Sequence, residues 1–226
     1  KKLLADLYGR ENIPIDPFHI NDVEPLLNQN SQTSIVFLSL ATQSSLLAYD
    51  MDSEKLIWKI DRASSIQHDI DVLNKNDNQV DISIFDNNYL NDINGESLGN
   101  KVIKFSNLPL SSKDGYLLIA NPYYHKKFNK EVLDFSELKP ELRPITRTEG
   151  RSDFIMKNNS LMIEETNHGR LIEVDINNGQ ILWQFVNKSE KNSIPYMLNW
   201  SRRLDSIPDI IKDQQSKNYC LKIDYE

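Results

Sequence analysis

The chain has a single cysteine, Cys220, and only four histidines among its 226 residues. One cysteine cannot form an intrachain disulfide, so cysteine usage does not indicate the compartment. The sequence has no run of about 18 apolar residues, so no segment of it is expected to span a membrane. Acidic residues outnumber basic ones by 33 to 26, and a net charge of −7 without a basic stripe argues against nucleic-acid binding.

The motifs of several enzyme classes are also missing. There is no G-x-S-x-G turn, no P-loop and no G-x-G-x-x-G, so nothing points to a serine hydrolase, a nucleotide triphosphatase or a dinucleotide-binding enzyme. We therefore expect no cofactor. Local groups of basic residues, such as Arg143, Arg147 and Arg151, suit a small anion better than a polymer. Solvated surface charge is the commoner explanation for any one of them.

The length of the chain suits one large all-β unit, and no segment is convincing as a linker. We expect residues 1–226 to form a single domain or a fragment of one. The chain opens with Lys1 rather than Met, so we expect the N-terminal part of the natural protein, with any export signal, to be missing. The sequence gives no indication of oligomeric state.

Short β-strand patterns separated by Asn, Asp and Gly turns dominate the sequence. Asp50 to Trp58 matches Asp175 to Trp183, with the same spacing from the Asp that ends one strand to the Trp in the next. This pattern is typical of the outer hairpin of a β-propeller blade. A β-sandwich could hold the same hairpin, but repetition at long range favours a propeller.

Blades of roughly 40–50 residues leave room for about four or five in this chain. We therefore predict an all-β fold of the β-propeller class, either part of the ring or an unusually compact one. The stretch from Phe105 to Leu142 is less regular. It predicts either a degenerate blade or a blade with a long insertion.

Two of the histidines occupy matching positions in a repeated unit. Aligning Val23 with Val72 places Asp22 on Asp71 and His19 on His68, and a later unit brings Arg151 within a residue of the same position. The inner strand of each blade lines the axial channel, so these side chains are predicted to meet at one mouth. Two imidazoles and a guanidinium suit nucleophilic or acid–base chemistry on an anion, to which the amide of Asn21 could donate.

Other interpretations of the histidines remain open. A lone histidine beside a strand more often makes a structural hydrogen bond than it acts in catalysis. A metal site formed with Asp69 or Asp71 is less well supported, because no H-x-H or H-E-x-x-H spacing is present. We therefore expect no metal. Aromatic residues of a pocket are expected from Phe18, Tyr123 or Tyr196.

Several phrases in order resemble bacterial arylsulfotransferases, and the resemblance runs from about Phe18 to Leu204. They are FHINDVEPL at 18–26, FLSLATQSSLLAYDMDSEKLIW at 37–58, QHDIDVL at 67–73, RTEGRSD at 147–153, EETNHGRLIEVD at 164–175 and NWSRRLD at 199–205. The resemblance implies a six-bladed propeller, export to the periplasm, and transfer of a sulfuryl group from a phenolic sulfate donor to a phenol acceptor without a nucleotide.

The resemblance also implies roles for individual residues. His68 matches the family's nucleophile, which is transiently sulfated on nitrogen, and the reaction is expected to be ping-pong. His19 and Asn21 match a pair that binds the sulfate and assists the phenolic oxygens. The arginine that grips the sulfate in relatives is replaced by Ala41, and Arg151 or Arg170 could substitute for it.

The replacement at Ala41 leaves two competing functions. One is a catalytically impaired propeller that binds a small anion, a glycan or a protein, which the loss of a bidentate anion clamp favours. The other is a hydrolase, in which water intercepts the sulfohistidine. The retention of both His19 and His68 opposes the non-catalytic propeller, and dependence on a phenol acceptor would separate a transferase from a hydrolase.

Overall fold

The computed structural model describes residues 16–28, 32–88, 99–111, 117–120, 128–191, 193–198 and 200–201. These residues form β-strands and three single-turn 3₁₀ helices, at Pro140–Leu142, Met156–Asn158 and Thr166–His168. The all-β prediction is confirmed. In the described part of the chain, no helix has the length and apolar character needed to cross a membrane.

The first sheet is an antiparallel meander of four consecutive strands. They are β1 (Ile20–Leu27), β2 (Thr33–Leu40), β3 (Ser45–Asp50) and β4 (Lys55–Ile60). Each strand pairs with the next, as in a propeller blade.

The second sheet repeats this order with an insertion before its last strand. Its strands are β5 (Gln67–Lys75), β6 (Gln79–Asp86), β7 (Lys101–Pro109) and, after the insertion that carries β8 (Leu117–Ile119), β9 (Asn129–Leu133). The short strand β8 pairs in parallel with β4 at the outer edge of the first sheet. The irregular stretch from Phe105 to Leu142 is therefore part of a complete blade with an insertion, the second of the two predicted alternatives.

The third sheet is again a plain meander. It contains β10 (Arg151–Ile155), β11 (Ser160–Glu165), β12 (Arg170–Asp175) and β13 (Ile181–Val186). As predicted, the two matching segments form outer hairpins. Asp50–Trp58 forms that of the first sheet, and Asp175–Trp183 forms that of the third. The described residues thus form three blades, with the first strand of the second blade, β5, in contact with β1 and β10.

Buried apolar side chains fill the two spaces between the blades. Ile82 and Ile84 of β6 belong to a cluster with Phe37 and Trp58 of the first blade. Phe85 belongs to a second cluster with residues of the third blade, namely Leu161, Ile163 and Ile172. Both faces of β6 are buried because the second blade lies between the other two. Its sequence is accordingly apolar at most positions rather than strictly alternating.

The inner strands of the first two blades are irregular where they begin. The pairing of β1 shifts between Ile20 and Asp22, and that of β5 shifts between His68 and Ile70. His19 and Asp69 have φ values of 41° and 50°, in the left-handed region that side chains rarely adopt. Such bulges redirect side chains and are common beside functional sites. Here they place both histidines at the same end of the blades.

Candidate functional site

A cavity of about 400 Å³ lies at the beginning of the three inner strands. Its lining includes His19, Asn21, His68, Glu149, Arg151 and Trp200, which come from all three blades and from the segment after β13. Four of the five residues predicted for the site, His19, Asn21, His68 and Arg151, therefore line one cavity. The fifth, Arg170, is placed elsewhere.

The hydrogen bonds around His68 determine its tautomer. The Nδ2 amide of Asn87 donates to the carbonyls of Thr146 at 3.1 Å and Glu149 at 2.6 Å, so its Oδ1 can only accept. This oxygen lies 2.7 Å from Nδ1 of His68, which must therefore carry the proton. Nε2 then holds the lone pair, and it accepts a long hydrogen bond of 3.3 Å from the backbone N–H of Glu149.

Burial also keeps this imidazole neutral. Desolvation lowers the pKa of His68 below its usual range, and it outweighs the hydrogen bond that His68 donates to Asn87, which acts in the opposite direction. His68 is consequently a neutral imidazole at neutral pH, protonated on Nδ1, and among the described residues its Nε2 lone pair accepts only the long hydrogen bond from Glu149 at the cavity. This is the state in which an imidazole can act as a nucleophile.

His19 is held by a carboxylate three residues before it. Asp16 accepts the backbone N–H of His19 at 2.9 Å through Oδ1, and its Oδ2 lies 2.6 Å from Nδ1 of the same residue. The hydrogen bond from His19 lowers the pKa of Asp16, so this carboxyl is ionised. The arrangement leaves Nε2 as the nitrogen of His19 that can meet a substrate. Asp16 was not predicted, although the spacing D-x-x-H is visible in the sequence.

Asn21 links the first two blades at the cavity. One hydrogen of its amide donates to the carbonyl of Gln67 at 2.9 Å, and the second hydrogen remains for a ligand. Gln67 is itself buried and fixed, since its amide donates to the carbonyl of Ser45 and its oxygen accepts from Ser64.

Two carboxylates connect neighbouring blades in the same way. Asp22 accepts the backbone N–H of Ile70 at 2.7 Å, and Asp69 accepts that of Ser152 at 2.7 Å. Each bond joins the first strand of one blade to the first strand of the next. The relative positions of the cavity residues therefore depend on these two side chains.

Arg151 lies in an acidic cluster at the cavity. Its Nη2 donates to Asp153 at 3.2 Å, its Nε lies 3.8 Å from Asp69, and the guanidinium lies 5.5 Å from the centre of the ring of Trp200. Nε and Nη1 are buried without a hydrogen-bond partner among the described residues. These two nitrogens are enclosed by protein, so Arg151 acts on an anion in the cavity through its positive charge.

The acidic neighbours of Arg151 have a reduced tendency to ionise. Burial, with the charge of Asp153, raises the pKa of Asp71 to about 7, and burial with the charge of Asp71 raises the pKa of Asp69 well above its usual range. Each proton held here leaves more of the positive charge of Arg151 uncompensated. Anion binding is therefore compatible with this cluster.

Gly150 allows the chain to enter β10 beside these groups. Its φ is 105°, and a Cβ atom would lie 2.6 Å from the ring of Phe85 and 2.7 Å from Thr146. Any other residue would be strained in this conformation and would displace the buried ring. The glycine thus fixes the position of Glu149 and Arg151 on either side of it.

Arg170 does not reach the cavity. It forms an ion pair with Glu165 and donates to the carbonyls of Leu142 and Arg143. Ala41 is only 2% exposed, and its backbone N–H donates to the carbonyl of His19 at 3.0 Å. Of the two arginines predicted as substitutes at Ala41, the one beside the histidines is Arg151.

The aromatic residue at the cavity differs from those expected. Trp200 lines it, whereas Phe18 and Tyr196 do not, and Tyr123 lies outside the described residues. Within the described residues, no group of three or more His, Cys, Asp or Glu side chains is arranged to hold a metal ion.

A family model described as Arylsulfotransferase (ASST) matches residues 1–188. The chain belongs to the arylsulfotransferase family. No curated protein matches it. The match covers the three blades and every cavity residue discussed above except Trp200. Membership in this family agrees with the β-propeller architecture and indicates a sulfotransferase-like function with phenolic substrates.

Proposed function

We propose that this arylsulfotransferase-family protein transfers a sulfuryl group from a phenolic sulfate ester to a phenol through a sulfohistidine at Nε2 of His68. The observation that carries the proposal is the state of His68. Its Nδ1 proton is directed to Asn87, its burial disfavours the imidazolium, and its Nε2 lone pair lies at a cavity of substrate size.

In the first half-reaction, the Nε2 lone pair forms a bond to sulfur as the bond from sulfur to the phenolic oxygen breaks. The departing phenolate takes the bonding electrons and receives a proton from His19. Negative charge on the sulfuryl oxygens is met by the amide of Asn21, by the positive charge of Arg151, and by the backbone N–H of Glu149, which leaves Nε2 of His68 as the new bond to sulfur forms.

In the second half-reaction, an acceptor phenol loses its proton to His19 and its oxygen attacks sulfur. The N–S bond breaks, and the electrons return to Nε2 of His68. The net reaction exchanges a sulfuryl group for a proton between two phenols, so no external base or nucleotide is consumed. His19 begins each cycle in the same protonation state as it ends the last.

The test is release of p-nitrophenol from p-nitrophenyl sulfate by the full-length protein, with and without added phenol. We expect phenol to stimulate release, and His68→Ala to reduce it by at least about a hundredfold because the nucleophile is lost. His168→Ala is the matched control, since His168 is exposed in a 3₁₀ turn and does not line the cavity.

Each outcome separates the competing functions. Mass spectrometry of the quenched protein should find the sulfuryl group on the peptide that contains His68. Release that ignores phenol would instead support hydrolysis. A folded protein that releases nothing and binds p-nitrophenyl sulfate would support an anion-binding module.

A further inference from the structure

We propose that Asp16 is a positioning residue that makes His19 the proton carrier for the phenolic oxygens. This inference rests on the proposed sulfuryl transfer. Asp16 precedes β1, and its carboxylate contacts His19 twice, at the backbone N–H and at Nδ1 of the ring.

The geometry holds the imidazole in one orientation. Asp16 accepts the backbone N–H of His19 at 2.9 Å and faces its Nδ1 at 2.6 Å, so both carboxylate oxygens are bound to the same residue. An ionised carboxylate has no proton to donate, so Nδ1 must carry one. The proton that comes and goes during the reaction is therefore on Nε2, the nitrogen left for the cavity.

The segment that carries this pair is attached to the turn between β2 and β3. The hydroxyl of Thr42 donates to the carbonyl of Asp16 at 3.3 Å, and the amide of Gln43 donates to that of Pro17 at 3.4 Å. The backbone N–H of Ala41 donates to the carbonyl of His19 at 3.0 Å. Three successive residues of a turn thus fix the backbone from Asp16 to His19, and this brings the two exposed side chains together without a further cost in chain entropy.

His19 is also close enough to influence the nucleophile. Although desolvation is the main reason why the pKa of His68 is lowered, the charge of His19 contributes in the same direction. When His19 holds the proton taken from a phenol, His68 is thereby kept unprotonated. A proton on His19 thus disfavours one on His68, which suits a nucleophile that must stay neutral.

The experiment compares donors with different leaving groups. A proton carrier matters most when the departing phenolate is strongly basic, so phenyl sulfate depends on it more than p-nitrophenyl sulfate. We expect Asp16→Asn to lower kcat/KM by about 10–100-fold with phenyl sulfate and by clearly less with p-nitrophenyl sulfate. The Asn oxygen can still accept the backbone N–H, so this variant keeps the turn while it removes the charge.

Asp50→Asn is the matched control. Asp50 also accepts two backbone N–H groups in an exposed turn, between β3 and β4 and away from the cavity. Asp50→Asn should leave kcat/KM unchanged with both phenyl sulfate and p-nitrophenyl sulfate. The proposal would be overturned if Asp16→Asn lowered kcat/KM equally with the two sulfate esters, or did not lower it with either.

A second measurement does not require activity. Nitrogen-15 chemical shifts of the imidazoles report which ring nitrogen holds the proton in the neutral form. Wild-type protein should show His19 protonated on Nδ1, and Asp16→Ala should show a mixture of tautomers. Wild-type His19 protonated on Nε2 would overturn the positioning role even in an active enzyme. An inactive protein with the Nδ1 tautomer would instead count against sulfuryl transfer and leave the role of Asp16 standing.

Discussion

At the scale of single residues, the reactivity of His68 depends on one amide. Asn87 follows β6, and only the pairing of β5 with β6 brings it beside a histidine that lies 19 positions earlier. Because its Nδ2 is bound to two carbonyls, the side chain cannot turn over and offer a donor to Nδ1. A neutral acceptor fixes the tautomer and favours the imidazolium less than a carboxylate in the same place would.

This gives a prediction for Asn87→Asp. A carboxylate at 2.7 Å from Nδ1 would raise the pKa of His68, opposing the effect of burial in the native site. Because the neutral imidazole is the nucleophile, the acid limb of the profile of kcat/KM against pH should move upward by about one pH unit. Asn177→Asp, in the exposed turn before β13, should not move it.

A shift of that limb to lower pH would contradict the assigned tautomer. Circular dichroism must show that the variant is folded, since the new carboxylate also faces the carbonyls of Thr146 and Glu149.

Sequence reasoning found the residues that approach the cavity through their own strands. The repeated histidine position and the H-x-N spacing led to His19, Asn21 and His68, which lie near the start of β1 and β5. Asn87 and Trp200 were missed because strand pairing and the segment after β13 bring them to the site. No local pattern in the sequence records either contact.

The alignment of the two histidine units also shows a limit of repetition. It placed Asp22 on Asp71, and both are opposite a buried serine, Ser39 and Ser83 respectively. The bond to the next blade is nevertheless made by Asp22 in one unit and by Asp69 in the other. A bulge of one residue is sufficient to exchange these roles, and a sequence does not show where a bulge falls.

At the scale of elements, the two matching hairpins have the same shape and different surroundings. Trp58 of β4 is fully buried, stacks on Phe37 at 5.8 Å and donates to the carbonyl of Pro109 at 3.0 Å. Trp183 of β13 is 41% exposed and donates to Glu173. The repeat predicted the hairpins correctly, but it could not show that the second blade covers only the first of these tryptophans.

The difference predicts unequal costs for the same substitution. Trp58→Ala should lower the free energy of unfolding by about 3–5 kcal/mol, because it empties a space between two blades and removes the indole donor from a half-buried carbonyl. Trp183→Ala should cost about 1 kcal/mol or less, since much of that ring already contacts solvent. Urea unfolding of both variants measures the comparison. Equal losses would show that Trp183 is covered as completely as Trp58.

At the scale of the whole molecule, the blades are joined by apolar clusters at their faces and by carboxylates at their inner strands. The clusters follow from ordinary strand patterns, which is why the all-β, bladed architecture could be predicted from the sequence. The acidic inner cluster could not, because Asp69, Asp71 and Asp153 meet only when β5 and β10 lie side by side. It places several carboxylates around one guanidinium, in an environment that disfavours their ionisation.

Stability should therefore depend on pH through Asp71. Its pKa is about 7 in the folded protein against 3.8 in an unfolded chain, mainly because of burial, and its Oδ2 has no hydrogen-bond partner among the described residues. Because the proton on Asp71 is bound more tightly in the folded protein, its stabilising effect is complete below about pH 4. The effect declines as the pH rises and is lost above about pH 7. Asp71→Asn should thus raise the free energy of unfolding at pH 8 by roughly 2 kcal/mol, less than the whole shift because some attraction to Arg151 is lost, and should change it little at about pH 4. Urea unfolding at both pH values tests this, with exposed Asp77→Asn as the control. An equal effect at the two pH values, or a loss at pH 8, would mean that Arg151 stabilises the Asp71 carboxylate more than burial disfavours it.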